Sequence, residues 1–270
     1  MTRHLIFHYR SWKSGAAAIL LLAGTTVGAV AQSSPEPRGR VPNDAATPGV
    51  LFQVSTLDAL LQGLYNGSFS VGQLKRYGDF GLGTYEGLDG EMIVLNGHFY
   101  HVRSTGVLTE AADDEVAPFA AVTRFQPETQ FTVGPTSMVD LSTLLDTLLP
   151  SKNYFYAIKI HGTFSAMMTR AIPIQFLPYP PLSQLIPIQS VFSYTNTVGT
   201  AVDIRSPAFV AGINQVAHHY HYVSDDLKGG GHALSFTTGQ VVVSIQTLRR
   251  FEVALPNDEL FQKATLPFQQ

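Results

Sequence analysis

The sequence predicts an α+β protein built on mixed and antiparallel sheets with few helices. Three observations carry this. Most apolar runs are short or alternate, as strands do, and Val241–Leu255 is a long example. Met92–Leu95 and Phe99–Arg103 flank Asn96-Gly97, a pair suited to a type I′ hairpin turn. Only three segments have helical spacing, and the best is Met138–Leu149 with Leu141, Leu144, Leu145 and Leu148.

Taken in order, residues 1–31 have the layout of a secretory signal. Arg3, Arg10 and Lys13 precede an apolar stretch from Ala16 to Ala23, and Ala29-Val30-Ala31 offers small residues before a cut. Cleavage after Ala31 is expected, with an exported (periplasmic or secreted) product. An uncleaved N-terminal anchor is the competing reading. Residues 32–48 are polar and Pro-rich and read as a flexible lead-in. Leu51–Val54 reads as a strand. Ser55 or Thr56 can cap a helix with the apolar face Leu57, Leu60, Leu61 and Leu64. Val71–Tyr77 is a second short helix. Gly78, Gly81, Gly83, Gly87 and Gly90 then predict a shaped loop rather than a regular element. Val116–Phe125 and Gln130–Val133 extend a sheet. Tyr154–His161, Phe164–Ala171, Ser190–Val198, Gly199–Ile204, Val210–His221 and His232–Thr237 read as further strands. Leu177–Pro187 holds four prolines and reads as an extended connection. Two domains are expected, 49–177 and 178–270.

Composition narrows the function classes. A net charge of −3 and a pI near 6.3 give no reason to expect nucleic acid as a partner. There is no cysteine, so a thiol nucleophile and thiolate ligands are excluded, and any metal is held by nitrogen and oxygen.

Four of the nine His fall within His218–His232. On a strand, His219 and His221 share a face, while His218 points the other way with Tyr220 and Tyr222. His218 is then a surface residue or a support behind the site. The Gly-rich turn Ser224–Gly231 folds the chain back and brings His232 to the first pair. A single buried His is ordinarily a hydrogen-bonded core residue. Three His around an open position match a catalytic zinc rather than a structural one. Asp225 and Asp226 read first as turn formers, and as supports for an imidazole N–H second.

Two longer segments add to this: Gly78-Asp79-Phe80-Gly81-Leu82-Gly83-Thr84-Tyr85-Glu86-Gly87-Leu88-Asp89-Gly90-Glu91-Met92, and Tyr220–Asp226 with Gly230-Gly231-His232. With Thr169-Arg170 and Pro178–Leu182 they resemble the α-acetolactate decarboxylase family, from about Leu51 to Leu260. The resemblance implies conversion of α-acetolactate to acetoin and CO2 in a homodimer with two mixed α/β domains. It implies zinc (Zn2+) held by His219, His221 and His232, and a zinc-bound enediolate that is then protonated. Glu91 lies at the metal, Arg170 faces the substrate and Thr84 lines the site, all as the resemblance implies. The family's second catalytic Glu, near the C-terminus, has no counterpart in residues 261–270, and Glu252 and Glu259 are the nearest candidates. Two alternatives stand beside this reading: an exported zinc-binding protein without catalysis, and a metal-dependent lyase or dioxygenase on a cupin-like barrel. A cupin places a Glu three or four residues after His-x-His, where this chain has Ser224, Asp225 and Asp226.

Overall fold

The computed structural model describes residues 48–266. The expected signal sequence and nearly all of the lead-in lie outside them. The first half of the chain runs β1 (Val50–Val54), α1 (Leu57–Leu61), β2 (Phe69–Ser70), α2 (Val71–Leu74), β3 (Phe80–Thr84), β4 (Glu91–Leu95), β5 (His98–Val102), β6 (Leu108–Glu110), β7 (Val116–Ala117), β8 (Phe119–Thr123), β9 (Thr129–Val133) and α3 (Met138–Leu148). The second half runs β10 (Phe155–Ala171), α4 (Leu182–Leu185), β11 (Ser190–Arg205), β12 (Tyr220–Ser224), β13 (Gly230–Leu248), β14 (Arg250–Ala254) and α5 (Glu259–Lys263). Strands dominate, as the alternating patterns require.

A seven-stranded sheet has the order β14-β1-β8-β3-β4-β5-β6, antiparallel except for the parallel β1–β14 pair. The second sheet runs β10-β11-β12-β13-β9, and β13 also pairs with β10, so four of its strands close on themselves. The strands do not separate at Pro178: β14 joins the first sheet, while β9 and β10 belong to the second. One apolar cluster joins the sheets through Leu51, Phe80, Leu82 and Ile93 on one side and Ala157, Val202, Ile204 and Val223 on the other. The opposite face of the first sheet is covered as well, with Phe52, Val94 and Val122 packed on Val71 and Leu74 of α2. With both faces covered, β1, β3 and β8 are buried at every position rather than at alternate ones.

The helices begin where the sequence places caps. Thr56 Oγ1 accepts the Ala59 N–H at 3.2 Å, and Ser70 with Gln73 forms a reciprocal capping box. The Asn96-Gly97 turn has both residues at positive φ, 53° and 84°, as a type I′ hairpin needs.

Five expectations are corrected. The glycine run contains a fully buried central strand, β3. Its glycines serve close packing: a Cβ on Gly83 would lie 2.5 Å from the Phe119 carbonyl oxygen of β8. The two segments either side of Gly162 form one strand, β10, in which a register shift at Gly162/Phe164 breaks the alternation. The segments Ser190–Val198 and Gly199–Ile204 likewise merge into β11. Residues 211–219 are a loop, not a strand. The carbonyls of Gly212 and Ile213 accept the first-turn N–H groups of α1 at Asp58 and Leu57, both at 2.9 Å. The Pro-rich connection also holds a helical turn, α4.

Candidate active site

The site forms where the ends of several strands meet. β3 delivers Thr84, whose hydroxyl donates to the Gly90 carbonyl at 2.7 Å and closes the turn before β4. Gly90 has φ 69°, and a Cβ there would lie 2.0 Å from the Val102 carbonyl oxygen, so only glycine fits. Glu91 follows as the first residue of β4, with its side chain 9% exposed. Arg170, near the end of β10, is in register with His232 of β13, and His232 is in register with His221 of β12. Sheet pairing therefore sets three of the site residues side by side. His219 lies just before β12 and turns its ring to the same cluster.

The three imidazoles converge. His219 Nε2 and His221 Nε2 each lie 3.3 Å from His232 Nδ1. Ligands on a tetrahedral ion with bonds of about 2.0–2.1 Å sit about 3.3–3.4 Å apart, so this spacing is that of a coordination edge. The far nitrogen of His221 donates to the Met92 carbonyl at 2.8 Å, which leaves its Nε2 bare toward the cluster. One proton on His232 could serve only one of its two contacts. A cation satisfies all three lone pairs. Burial, and then the Arg170 charge, holds His219 down at about 4. Burial followed by the neighbouring His219 holds His221 and His232 well below the usual imidazole value. The rings are therefore neutral donors at neutral pH, and the donor set fits a metal ion.

Glu91 lies against both the His cluster and the cation. Its carboxylate oxygens are 3.5 Å from His221 Nε2 and 3.5 Å from Arg170 Nη1. Burial pushes its carboxyl up to about 7, against the pull of Arg170. Thr84, Glu91, Arg170 and the three His line one cavity of about 120 Å³. Apart from Gln215, the rest of its wall is apolar, with Leu57, Leu60, Leu88, Phe119 and Leu182.

All six residues singled out in the sequence thus meet in one cavity. His218 points away, as face alternation predicts, and donates to Asp203 at 2.6 Å. Asp226 accepts from Ser224 and from the Lys228 N–H and so builds the turn, while Asp225 N–H donates to the Val198 carbonyl. Neither Asp lines the cavity. Glu252 is exposed on β14 opposite Phe52, and Glu259 opens α5, paired with Lys263. Among the described residues Glu91 is the only carboxylate lining this cavity. Sequence reasoning missed the Met92 carbonyl, the apolar wall and Gln215, which also lines the cavity. The leucines of α1 did carry a signal, but helical spacing does not tell a core face from a cavity face.

Comparison with known proteins finds a family and a fold for the chain. Residues 51–267 match the family model described as alpha-acetolactate decarboxylase. The alpha-acetolactate decarboxylase of Methanosarcina mazei is 38% identical over 218 residues, 80% of this chain and 76% of that protein. The Bacillus subtilis strain 168 enzyme of the same name is 35% identical over 217 residues, 80% of this chain and 85% of that protein. A crystal structure of alpha-acetolactate decarboxylase from that strain superimposes with a TM-score of 0.79, covering 80% of this chain and 93% of the other at 34% identity. On the sequence match, the shared fold and the site at its centre, the chain belongs to the α-acetolactate decarboxylase family.

Proposed function

We propose that the protein is a zinc-dependent carboxy-lyase that converts α-acetolactate to acetoin and CO2. The observation that carries this reading is the convergence of three neutral imidazole nitrogens with Glu91 and Arg170 in one small, largely apolar cavity. His219, His221 and His232 would hold the ion. When bound it supplies Lewis acidity, which favours electron density moving onto the substrate ketone.

The remaining roles belong to the protein. Arg170 presents a planar guanidinium to the substrate carboxylate and orients it. A pair that was tight only in the ground state would oppose loss of CO2, so its useful contribution is to place the group. As the C2–carboxylate bond breaks, CO2 leaves and its electron pair becomes the enediolate of C2 and C3. Glu91, buried and in reach of the cluster, delivers the proton to C2 that completes acetoin. Thr84 fixes the turn from which Glu91 projects. The apolar wall keeps bulk water from the developing charge.

A non-catalytic zinc carrier has no use for Arg170 and Glu91 beside the imidazoles. A cupin-like reading needs a carboxylate shortly after His221, whereas the Asp226 carboxylate bonds within the turn and that of Asp225 lies 3.8 Å from His161. The direct test is to add α-acetolactate to the purified protein and follow acetoin colorimetrically. Acetoin formation supports the reading; zinc-loaded protein that forms none removes it. Export with cleavage after Ala31 and a homodimeric state belong to the same proposal. N-terminal sequencing of the mature protein and light scattering test them.

A further inference from the structure

The three imidazoles are held in different ways. His221 is fixed through its own ring, by the bond from Nδ1 to the Met92 carbonyl. His232 is fixed by the register of β13 against β10 and β12. His219 has neither support. It lies outside β12, and its Nδ1 is buried with no hydrogen-bond partner. Two residues upstream, Ala217 has φ 61°, a left-handed conformation that a non-glycine residue adopts only when its surroundings impose it. The position of the His219 ring therefore depends on what grips its main chain.

That grip is Asp203. The residue lies on β11, in register with Tyr220 on one side and Ile158 on the other, and is fully buried. Its Oδ1 accepts the His219 backbone N–H at 3.0 Å, and its Oδ2 accepts the His218 Nδ1–H at 2.6 Å. One carboxylate thus clamps two successive residues of the segment that carries the ligand. The His219 carbonyl completes the hold by accepting the Ile204 N–H at 3.2 Å. Behind His218, Asp146 lies 3.6 Å from Nε2 and accepts the Arg205 Nε–H at 3.0 Å, so the clamp is itself braced.

We propose that Asp203 is a positioning residue for the metal site: its carboxylate sets the main chain of His219, and through it the placement of that ligand. The proposal rests on the metal reading of the His cluster. A buried carboxylate this well bonded could instead serve only the fold, so the test must separate the two.

The experiment measures zinc affinity of the full-length, metal-free protein by competition with a chromophoric chelator, together with the melting temperature. The first variant is Asp203→Leu combined with His218→Phe, which exchanges the buried pair for apolar side chains and removes the acceptor on the His219 N–H. The second is Asp203→Asn, whose amide oxygen can still accept that N–H. The double variant should bind zinc at least about 10-fold more weakly, as for loss of supports behind metal ligands, with Asp203→Asn within about threefold of wild type. Wild-type zinc affinity in the double variant overturns the proposal. So does an Asn variant as weak as the double variant, because the acceptor would then not be the cause. A double variant that does not fold also overturns it, by assigning the pair to the fold. Wild-type protein that binds no zinc defeats the metal reading itself, and is distinguishable from all of these.

Discussion

Gly90→Ala is the substitution whose effect the geometry defines most closely. The new Cβ would lie 2.0 Å from the Val102 carbonyl oxygen and 3.0 Å from the Arg103 Cα. Comfortable non-bonded contact needs about 3.5 Å, so the segment must move by roughly 1.5 Å. Glu91, in register with Val102, moves with it. At φ 69° the alanine also carries the left-handed penalty of about 1–2 kcal/mol. Overpacking adds about 1–3 kcal/mol. A loss of about 2–5 kcal/mol lowers the melting temperature by roughly 5–15 °C in a domain of this size. A displacement of about 1 Å at a group in the chemistry costs turnover on the order of 10²-fold. The assay is calorimetry together with acetoin release by zinc-loaded protein. Gly97→Ala is the control: it shares a positive φ of 84° but meets nothing within 4 Å, so it should lose stability slightly and turnover not at all. Unchanged melting and turnover in Gly90→Ala, or equal turnover losses in the two variants, would refute the placement of Glu91.

Further outcomes follow from the same geometry. Glu91→Gln should keep its zinc and lose turnover by at least about 10²-fold, checked by metal analysis and acetoin release. Alanine at His219, His221 or His232 should abolish both stoichiometric zinc and acetoin release; full activity in a metal-free variant contradicts the site. The metal-free protein should lose stability as the pH falls below about 6.5. His219, held at about 4, stays neutral while its unfolded counterpart binds a proton, and His221 and His232 act in the same direction. Glu91 opposes them, since an acid raised to about 7 favours the fold as the pH falls from 7 toward 4.5. Three imidazoles outweigh one carboxyl, and the acid loss should steepen in Glu91→Gln; melting curves at pH 5 and pH 8 decide it.

The site was more legible in the sequence than the fold around it. His219 and His221 share a face because side-chain direction alternates, and the Gly-rich turn returns His232 beside them. Glu91, Arg170 and Thr84 are remote in sequence and carry no local signal, so only long motifs in the right order pointed to them. The misread strands have a common cause. Gly81 and Gly83 look like loop residues until β8 is seen close against them, and Gly162 looks like a break until β13 is seen pairing across it. Such contacts are tertiary, and no window along the chain contains them. The loop from Gly212 to Ala217 has the apolar residues of a strand, while its partners are the N–H groups at the start of α1 and the side chain of Gln53, which accepts from Asn214 at 2.7 Å. Asp203 shows the same limit: in the sequence it is one acid in an apolar run, and its contact with the segment carrying His219 exists only once β11 pairs with β12.

The central claim is that zinc on three imidazoles, beside Glu91 and Arg170, converts α-acetolactate to acetoin. The most direct measurement titrates zinc into chelator-stripped wild-type protein and follows acetoin release against bound zinc. The account predicts no acetoin without metal, then a linear rise that stops at one zinc per chain. Undiminished acetoin release from the stripped protein, or no release at one bound zinc, would contradict it.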